Sequence, residues 1–306
     1  MNSGASEPAL IGLDWGTSSL RAFLINGRGE VLDKMFSPEG IMSVSDRNFE
    51  AVFDKLIGHW LSAGELPILA SGMITSRNGW VETPYEHLPL DADTLARALV
   101  THKTECGVEL RFVTGVTTED ESGPDVMRGE ETQIIGASAL GMSDGVFVMP
   151  GTHSKWISVS NGRIEDYSTY MTGEIYAALK GHTILGTLIE DGPFSEEGFD
   201  LGVAAGLTSK SHLLHDLFHV RTLPLMGKIE GSMVADYLSG MLIGSEISAE
   251  MDNRAAEETI TIIGRNDLAD RYEIALAAAG LQSRRAPDDI VAMGHFSIAR
   301  SAGLLS

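Results

Sequence analysis

The sequence has very little cysteine and no long apolar segment. Cys106 is the only cysteine among 306 residues, which excludes an internal disulfide and favours a reducing compartment, the cytoplasm. Charged residues or glycines interrupt each apolar run within about a dozen residues, fewer than a membrane-spanning helix needs. The N-terminal stretch "MNSGASEP" has neither a basic start nor an apolar core, so no secretory signal is expected.

Basic residues are scarce as well. The chain has 22 Lys and Arg against 43 Asp and Glu, a formal net charge of -21. A field of this sign repels nucleic acid and anionic lipid, so neither is expected as a partner. The sequence also lacks the glycine-lysine P-loop and the G-x-S-x-G pattern of serine hydrolases. If the ligands carry phosphate, backbone N–H groups, a few fixed cations and a metal ion must overcome the repulsion.

Two phrases of similar pattern are present instead. "LIGLDWGTSSLRAFLI" (residues 10–25) and "MPGTHSKWISV" (residues 149–159) each predict a strand, a glycine turn and a second strand. Each is followed by an Asn-Gly hairpin signal and a third strand, then by helices alternating with strands. We therefore predict two similarly built α/β domains, residues 1–122 and 123–306, with the last helix able to pack on the first domain.

Three local predictions concern the first half of the chain. Asp46 can N-cap an amphipathic helix that ends at Gly64. The stretch "DADTLARALVTHK" (residues 91–103) predicts a second helix. The polar stretch "TTEDESGPDVMRG" (residues 117–129) predicts an irregular loop before a helix that starts at Glu130.

The two glycine turns have a pattern suited to phosphate. Without a Cβ, glycine lets backbone N–H groups face an anion, and two such hairpins across a cleft would clamp the β- and γ-phosphates of a nucleotide. Asp14, just before the first glycine, would supply a carboxylate to Mg²⁺ through water, although an aspartate here can also simply cap a turn. The residues predicted to bind the nucleotide are Gly16, Thr17, Ser18, Gly151, Thr152, His153, Ser154 and Lys155. His153 is expected to bond or pack within its hairpin rather than to catalyse.

These phrases resemble the two phosphate motifs of the actin-like ATPase superfamily, which includes sugar kinases and Hsp70. Four further phrases, "SGMITSRNGWVETPY", "DVMRGEETQIIGA", "YMTGEIYAALKGHTILG" and "TIIGRNDLADRYEIAL", resemble the 2-dehydro-3-deoxygalactonokinase family over nearly the whole chain. The resemblance implies two ribonuclease-H-like α/β domains with mixed sheets flanked by helices. It also implies that ATP phosphorylates the 6-hydroxyl of 2-dehydro-3-deoxy-D-galactonate, giving 2-dehydro-3-deoxy-6-phosphogalactonate in galactonate catabolism.

The resemblance also suggests where the general base lies. Related sugar kinases carry an acidic residue at the start of the helix before the second phosphate hairpin, and Glu130 and Glu131 stand there. The helix N-terminus would keep either one ionised, and adjacent helical residues point about 100° apart, so only one can face the substrate. Both are candidates, with Glu130 favoured. The alternative is that both only complement the helix dipole.

The implied acceptor carries a carboxylate and so requires a cation. Arginine offers a planar fork of donors, and the candidates are Arg77 and Arg128, which lie in Gly-flanked loops. Trp80 could form a flat wall for the carbon chain, and Glu174 could accept hydrogen bonds from hydroxyl groups. Gly264, between a strand and a helix, would let adenine approach the backbone, as the superfamily's adenosine phrase implies.

Alternatives to this function stay open at this point. The acceptor could be the gluconate epimer or another sugar or sugar acid. A phosphohydrolase of the same superfamily would use water as acceptor, and a nucleotide-dependent interaction module would carry an appended binding domain or a large exposed apolar surface. ATP, Mg²⁺ and a small sugar acid are the expected ligands, and homo-oligomerisation is left open.

Overall fold

The computed structural model describes residues 7–62, 64–120, 123–251 and 259–305. It divides into two compact units. Unit 1 comprises Met1–Asp144, Ser158–Asp166 and Pro287–Ser306, and unit 2 comprises Gly145–Ile157 and Tyr167–Ala286. The domain boundary expected at residue 122 lies outside the described residues, and the functional division into 1–122 and 123–306 stays a prediction.

The described strands, in chain order, are β1 (Pro8–Trp15), β2 (Leu20–Asn26), β3 (Val31–Ser37), β4 (Ile68–Ser71), β5 (Tyr85–His87), β6 (Val100–Lys103), β7 (Glu109–Phe112), β8 (Gly115–Asp120), β9 (Gly123–Met127), β10 (Gly145–Met149), β11 (Ser154–Ser160), β12 (Arg163–Tyr170), β13 (Ile260–Ile262) and β14 (Ser283–Arg285).

The described α-helices, in chain order, are α1 (Phe49–Leu61), α2 (Ala92–Arg97), α3 (Glu130–Ala139), α4 (Thr172–His182), α5 (Glu196–Ser209), α6 (Leu213–Asp216), α7 (His219–Leu225), α8 (Val234–Met251), α9 (Asn266–Ala278) and α10 (Ile290–Ser301). No helix within the described ranges is both long and apolar enough to span a membrane.

The two larger sheets have corresponding strand orders over five of their strands. One sheet runs β3-β2-β1-β4-β7-β6 and the other runs β12-β11-β10-β13-β14. In each, three consecutive strands lie side by side, and the first of them also pairs in parallel with a later strand, β4 or β13. A third, small sheet has the order β5-β8-β9. Mixed sheets flanked by helices in two similar arrangements confirm the fold class expected from the sequence.

The core of unit 1 forms where α1 covers the six-stranded sheet. The apolar positions of α1 recur every three or four residues, so one face of the helix is buried, including Phe49, Phe53 and Trp60. On the sheet side they meet residues of β1 and β4 such as Leu13 and Ile68, and all of these belong to one apolar cluster. The buried strands bring the carboxyl ends of β1 and β4 side by side.

The start of α3 is fixed by a close helix crossing within unit 1. A Cβ on Gly136 of α3 would lie 2.1 Å from the carbonyl oxygen of Ile290, and one on Gly294 of α10 would lie 1.9 Å from that of Thr132. Glycine at both positions therefore lets the two backbones touch. The sequence-predicted last helix is α10, and its packing on α3 lies within unit 1.

In unit 2 the helices α5 and α8 cross on four glycines. A Cβ on Gly202 or Gly206 would lie 2.1 Å from Tyr237 O or 2.2 Å from Met241 O. From the opposite side, Gly240 and Gly244 approach the backbone of α5 just as closely. The buried face of α8 contributes to the two apolar clusters of unit 2, one against the five-stranded sheet and one against α7.

Two of the local predictions are wrong. The stretch 91–103 is not one helix, because α2 ends at Arg97 and the β-branched Val100 and Thr101 pair with β7 instead. The stretch 117–129 is not an irregular loop, because β8 and β9 form an antiparallel hairpin there. In both places pairing with a neighbouring strand determines the backbone conformation, and the local residue composition does not predict that pairing.

The cap of α1 also differs from the prediction. Asn48, not Asp46, is the N-cap, and its side chain accepts a hydrogen bond from Ala51 N at 3.2 Å. Asp46 lies in the short 3-10 turn that precedes Asn48, and its own φ is left-handed, at 52°.

Candidate active site

The first glycine bend lies between β1 and β2. Gly16 N donates to Ser19 O at 2.9 Å, which closes the bend, and the bend is held by Ile41 N, which donates to Gly16 O at 3.0 Å. Thr17 and Ser18 are exposed at its tip. Thr17 and Ser18, which are predicted to bind the nucleotide, are thus accessible to a ligand in solvent.

Asp14 lies at the carboxyl end of β1, opposite Arg21 of β2 and beside Ser71 of β4. One carboxylate oxygen, Oδ2, accepts from Arg21 Nε at 2.9 Å and also from Arg21 Nη2. The other, Oδ1, has no hydrogen-bond donor among the described residues. A Cβ on Gly72 would lie 3.4 Å from this oxygen, so glycine at that position leaves the space beside it open.

Two glycines with left-handed φ allow the start of α3 to pack close to the segment that contains Asp14. Gly72, with φ of 94°, follows β4, and a Cβ on it would lie 2.8 Å from Trp15 O. Gly129, with φ of 110°, precedes α3, and a Cβ on it would lie 3.0 Å from the Cα of Gly72. Because neither glycine has a Cβ, the segment containing Asp14 and the segment leading into Glu130 both pack on residue 72.

The two candidate bases at the start of α3 differ in burial. Glu130 is half-buried, and its Oε2 accepts from Arg128 N at 3.0 Å. Glu131 is 1% exposed; its Oε2 accepts from Gly129 N at 2.6 Å and its Oε1 from Thr132 Oγ1 at 3.0 Å. Burial, with a smaller contribution from the negative charge of Glu130, raises the pKa of Glu131 to about 8. Glu131 is therefore mostly protonated at neutral pH, and Glu130 is the carboxyl that solvent or substrate can reach.

A buried histidine lies behind this group, and sequence reasoning did not connect it with the site. His295 of α10 is fully buried, and its Nε2 lies 2.9 Å from Ser71 Oγ. A Cβ on Gly12 would lie 2.5 Å from the imidazole Nδ1, so β1 leaves room for the ring only because residue 12 is glycine. Burial, helped by the positive charge of Arg21, lowers the pKa of His295 to about 3, so the ring is neutral. A histidine within a helical segment carries no sequence pattern that predicts its contact with Ser71.

The two arginines proposed for the acceptor are in different environments. Arg77 is exposed and forms no ion pair or hydrogen bond with the described residues. The guanidinium of Arg128 is buried: Nη1 donates to Thr75 O at 2.6 Å and to Thr83 Oγ1 at 2.6 Å, and the group lies 4.3 Å from the ring centroid of Tyr85. Arg128 thus holds the loop that carries Arg77. The Nε of Arg128 is a buried donor without a hydrogen-bond partner among the described residues.

Trp80 packs in the aromatic core of unit 1. Its ring centroid lies 5.7 Å from that of Phe53 and 6.3 Å from that of Trp15, and it also contacts His102 at 5.2 Å. Packing accounts for this tryptophan, and a role as a wall of the acceptor site stays a prediction.

The second glycine bend lies between β10 and β11 in unit 2, against the start of α4. A Cβ on Gly173 would lie 2.3 Å from Gly151 O, and Glu174 N donates to Thr152 O at 2.9 Å. The carboxylate of Glu174 lies 2.5 Å from His153 Nε2, and both side chains are about half exposed. His153 therefore bonds to α4 rather than within its own hairpin, and its partner is Glu174, the residue predicted to accept from the substrate.

Ser154 and Lys155 point their side chains into unit 2 rather than into solvent. Ser154 Oγ lies 2.7 Å from Tyr272 OH, and Lys155 Nζ donates to Thr169 Oγ1 at 2.7 Å. Both residues are buried. Gly264, the predicted adenine neighbour, is exposed just after β13, and a Cβ on it would lie 3.4 Å from Pro150 Cδ, beside the second bend.

Unit 2 also contains a cavity that sequence reasoning missed. Its volume is about 190 Å³, and its lining includes Tyr176 and Lys180 of α4, Phe194, Asp236 of α8 and Arg271 of α9. Arg271 Nη2 donates to Asp236 Oδ1 at 2.8 Å, and the guanidinium lies 4.6 Å from the ring centroid of Phe194. Arg271 Nη1 is buried without a partner among the described residues. The lining comes from four separate stretches of chain, so periodicity in any one of them carries no signal for it.

Comparison with known proteins identifies the family. The family model of 2-keto-3-deoxy-galactonokinase matches residues 14–298. The chain is 33% identical over 270 residues to the 2-dehydro-3-deoxygalactonokinase of Escherichia coli (strain K12), covering 88% of this chain and 90% of the relative. The chain belongs to the 2-keto-3-deoxy-galactonokinase family. It is thus a member of a kinase family, as the sequence phrases indicated.

Solved structures agree with this assignment. A crystal structure from Sinorhizobium meliloti, described as that of a candidate 2-dehydro-3-deoxygalactonokinase, superposes with a TM-score of 0.86 at 32% identity, covering 95% of this chain and 98% of the other. The activator of the 2-hydroxyisocaproyl-CoA dehydratase from Clostridium difficile, solved with bound ADPNP, gives a TM-score of 0.52 at 10% identity, covering 96% of each chain. At that identity the second likeness concerns the fold alone.

Proposed function

We propose that this kinase transfers the γ-phosphoryl group of ATP to the 6-hydroxyl of 2-dehydro-3-deoxy-D-galactonate. The observation that carries the proposal is the 33% identity to the Escherichia coli enzyme of that name over 88% of the chain. The exposed first bend, the open oxygen of Asp14 and the reachable carboxyl of Glu130 supply the groups that phosphoryl transfer needs. The lone, exposed Cys106 supports a reducing cytoplasm as its compartment.

Phosphate binding is assigned to the backbone N–H groups and hydroxyls of the two bends. Thr17 and Ser18 act from residues 1–122, and Gly151 and Thr152 act from residues 123–306. Ser154 and Lys155, whose side chains point inward, contribute through the shape of the second bend. The nucleoside is assigned to the surface beside Gly264, which lies next to Pro150 of the second bend and two residues before α9 begins.

Asp14 is assigned to Mg²⁺. Oxygen ligands suit this ion, and Oδ1 of Asp14 has no hydrogen-bond donor among the described residues while Oδ2 is held by Arg21. Within the described residues Asp14 does not belong to a cluster of three potential metal ligands, so most of the ion's ligands would be water and phosphate oxygens, as is usual for Mg²⁺. The bound ion would neutralise charge on the transferring phosphoryl group.

Glu130 is assigned as the general base. As the acceptor 6-hydroxyl oxygen forms a bond to the γ-phosphorus, its proton passes to the Glu130 carboxylate, and the bond to the β–γ bridging oxygen breaks. Glu131 is mostly protonated at neutral pH because it is buried, so it cannot take that proton until the pH is above about 8. Its hydrogen bond to Gly129 N instead helps to shape the turn that presents Glu130.

The acceptor carboxylate is assigned to Arg77, and Arg128, whose guanidinium is buried, is assigned to holding the loop that carries it. Arg77 is exposed on a loop that Arg128 itself holds through Thr75 and Thr83. A guanidinium without a competing carboxylate partner is available to bind a carboxylate ligand. Glu174 and Trp80 stay proposed neighbours of the substrate hydroxyls and carbon chain.

An ADP-release assay across acceptors tests this function. We expect ADP release with ATP, Mg²⁺ and 2-dehydro-3-deoxy-D-galactonate, little with simple sugars, and only background without acceptor. Equal release in the acceptor-free blank would instead identify a phosphohydrolase. Faster turnover of 2-dehydro-3-deoxygluconate would reassign the substrate to the epimer, and product analysis for a 6-phosphate would distinguish the site of transfer.

A further inference from the structure

Glu246 of α8 is a buried carboxyl group in unit 2 that the proposed chemistry does not use. It is 3% exposed and lies among hydrogen-bond donors from three other elements. Its Oε1 accepts from Trp156 Nε1 of β11 at 2.7 Å, and its Oε2 accepts from Thr172 Oγ1 at the start of α4. Tyr272 OH of α9 lies 2.9 Å from Oε1 and 2.8 Å from Oε2. One carboxyl group thus joins four elements.

Two of these partners flank the second bend. Trp156 follows the bend on β11, and Thr172 immediately precedes Gly173, whose backbone touches Gly151. Ser154, on the same face of β11 as Trp156, joins the group through its 2.7 Å contact with Tyr272. The carboxyl group therefore lies behind the contact between the bend and α4, and it bonds to both sides of that contact.

We propose that Glu246 is a positioning residue that fixes the second bend against the start of α4 and so sets the geometry in which Gly151 and Thr152 bind nucleotide phosphate. This inference rests on the proposed function of the bend. A purely apolar side chain would fill the same volume but would offer no hydrogen-bond acceptor to hold Trp156 and Thr172 in one arrangement. A carboxylate in this place fixes both, because each donates to a different oxygen atom.

The ionisation of Glu246 changes the number of hydrogen bonds it can accept. Burial raises the pKa of Glu246 to about 7, and the donors around it oppose this rise. As a carboxylate it accepts from Trp156, Thr172 and Tyr272 at once; protonated, it has an O–H that one of these hydroxyl groups must turn to accept. Tyr272 is the titratable group facing it, and burial raises the pKa of this tyrosine well above 10, so it stays neutral. Glu250, one turn along α8, pairs with Tyr170.

The test is calorimetric binding of MgADP at pH 6 and pH 8 to the wild type, Glu246→Gln and Thr172→Val. Glutamine resembles the protonated acid, so we expect it to weaken MgADP binding roughly two- to tenfold at pH 8 and to leave it near the wild-type value at pH 6. ADP titrates in the same pH range, and taking the ratio of variant to wild type at each pH cancels that contribution. Thr172→Val keeps the carboxyl group and removes one donor, and we expect a weakening in the same direction at pH 8.

Tyr170→Phe is the matched control, because it removes a 2.8 Å hydrogen bond to the same helix at Glu250. It should leave MgADP binding unchanged at both pH values. Glu246→Gln with a lower melting temperature but wild-type MgADP affinity at pH 8 would mean a purely structural role and would overturn the proposal. Wild-type protein that binds no MgADP would overturn the assignment of the bend itself, a separate result. If Glu246→Gln does not fold, equal affinity in Thr172→Val and wild type at pH 8 decides against the proposal.

Discussion

Glu130 and Glu131 are adjacent at the start of α3, yet only one of their carboxyl groups is accessible. Glu131 is 1% exposed and bonded to Gly129 N, whereas Glu130 is half-buried and bonded to Arg128 N. Successive helical residues point about 100° apart, so one faces the interior while the other faces outward. Two residues of identical chemistry thereby differ in solvent access, and burial raises the pKa of Glu131 to about 8.

The first prediction concerns catalysis. Glu130→Gln should lower kcat by roughly 10²- to 10⁴-fold, because the proton of the acceptor hydroxyl loses its acceptor, while MgADP affinity changes little. Glu131→Gln should retain most of the turnover at pH 7, since the native side chain is already mostly protonated. Steady-state kinetics with calorimetric MgADP binding checks both. A larger loss in Glu131→Gln than in Glu130→Gln would reverse the assignment.

The second prediction concerns stability and pH. The folded-state pKa of Glu131, about 8, lies above its ordinary value of 4.5. Between these values the unfolded chain has released a proton that the folded chain keeps, so the free energy of unfolding falls as pH rises, by up to about 1.4 kcal/mol per pH unit. Glu131→Gln should remove this fall and should be the more stable protein at pH 8. Urea unfolding of both proteins at pH 5.5, 7 and 8 measures the difference, and parallel curves would contradict it.

The third prediction concerns the acceptor. Arg77→Ala should raise KM for the sugar acid by roughly tenfold or more, the value of a charged hydrogen bond, and should leave KM for ATP unchanged. Arg97→Ala, at another exposed arginine of unit 1, is the matched control and should behave as wild type. Equal acceptor KM in the two variants would remove Arg77 from the substrate site.

The fourth prediction concerns Mg²⁺. Asp14→Asn keeps the shape of the side chain and removes its charge, so the Mg²⁺ concentration for half-maximal rate should rise by roughly 10- to 100-fold. Asp93→Asn, at an exposed aspartate of α2, should leave it unchanged. A titration of rate against Mg²⁺ at saturating ATP distinguishes them, and unaltered Mg²⁺ dependence in Asp14→Asn would argue that the ion is held elsewhere.

The fifth prediction concerns the two glycines that meet beneath the site. Gly72→Ala places a Cβ 2.8 Å from Trp15 O on a residue with φ of 94°, and should lower the free energy of unfolding by at least about 1–3 kcal/mol. Gly58→Ala, inside α1, meets nothing within 4 Å and should instead raise it by roughly 0.5–1 kcal/mol. Thermal unfolding of the pair checks both signs, and a neutral Gly72→Ala would mean that neither the contact with Trp15 O nor the φ of residue 72 requires glycine there.

Much of the fold could be predicted because its signals are local. The strands around Gly16 and Gly151 and the apolar face of α1 follow from short-range patterns, and the structure confirms them. The β8–β9 hairpin and β6 were not predicted, because pairing with the adjacent strand sets their backbones, and the polar or helix-like composition of these segments does not indicate that pairing.

The same distinction between local patterns and packing applies to the candidate site. The phosphate phrases and the two glutamates at the start of α3 stand out as motifs. The burial that separates Glu130 from Glu131, the contact of His295 with Ser71, and the group around Glu246 depend on the packing of separate elements. For Arg128, the sequence suggested a ligand for the substrate, and the structure adds that its guanidinium holds the loop bearing Arg77.

The crossing of α5 and α8 restricts how this chain can change. Gly202, Gly206, Gly240 and Gly244 each lie where any larger side chain would meet the backbone of the opposite helix. A substitution at one of them requires the two helix backbones to move apart there, because the nearest atom is backbone and not a flexible side chain. Libraries built on this chain are therefore best designed with these four codons kept fixed as glycine.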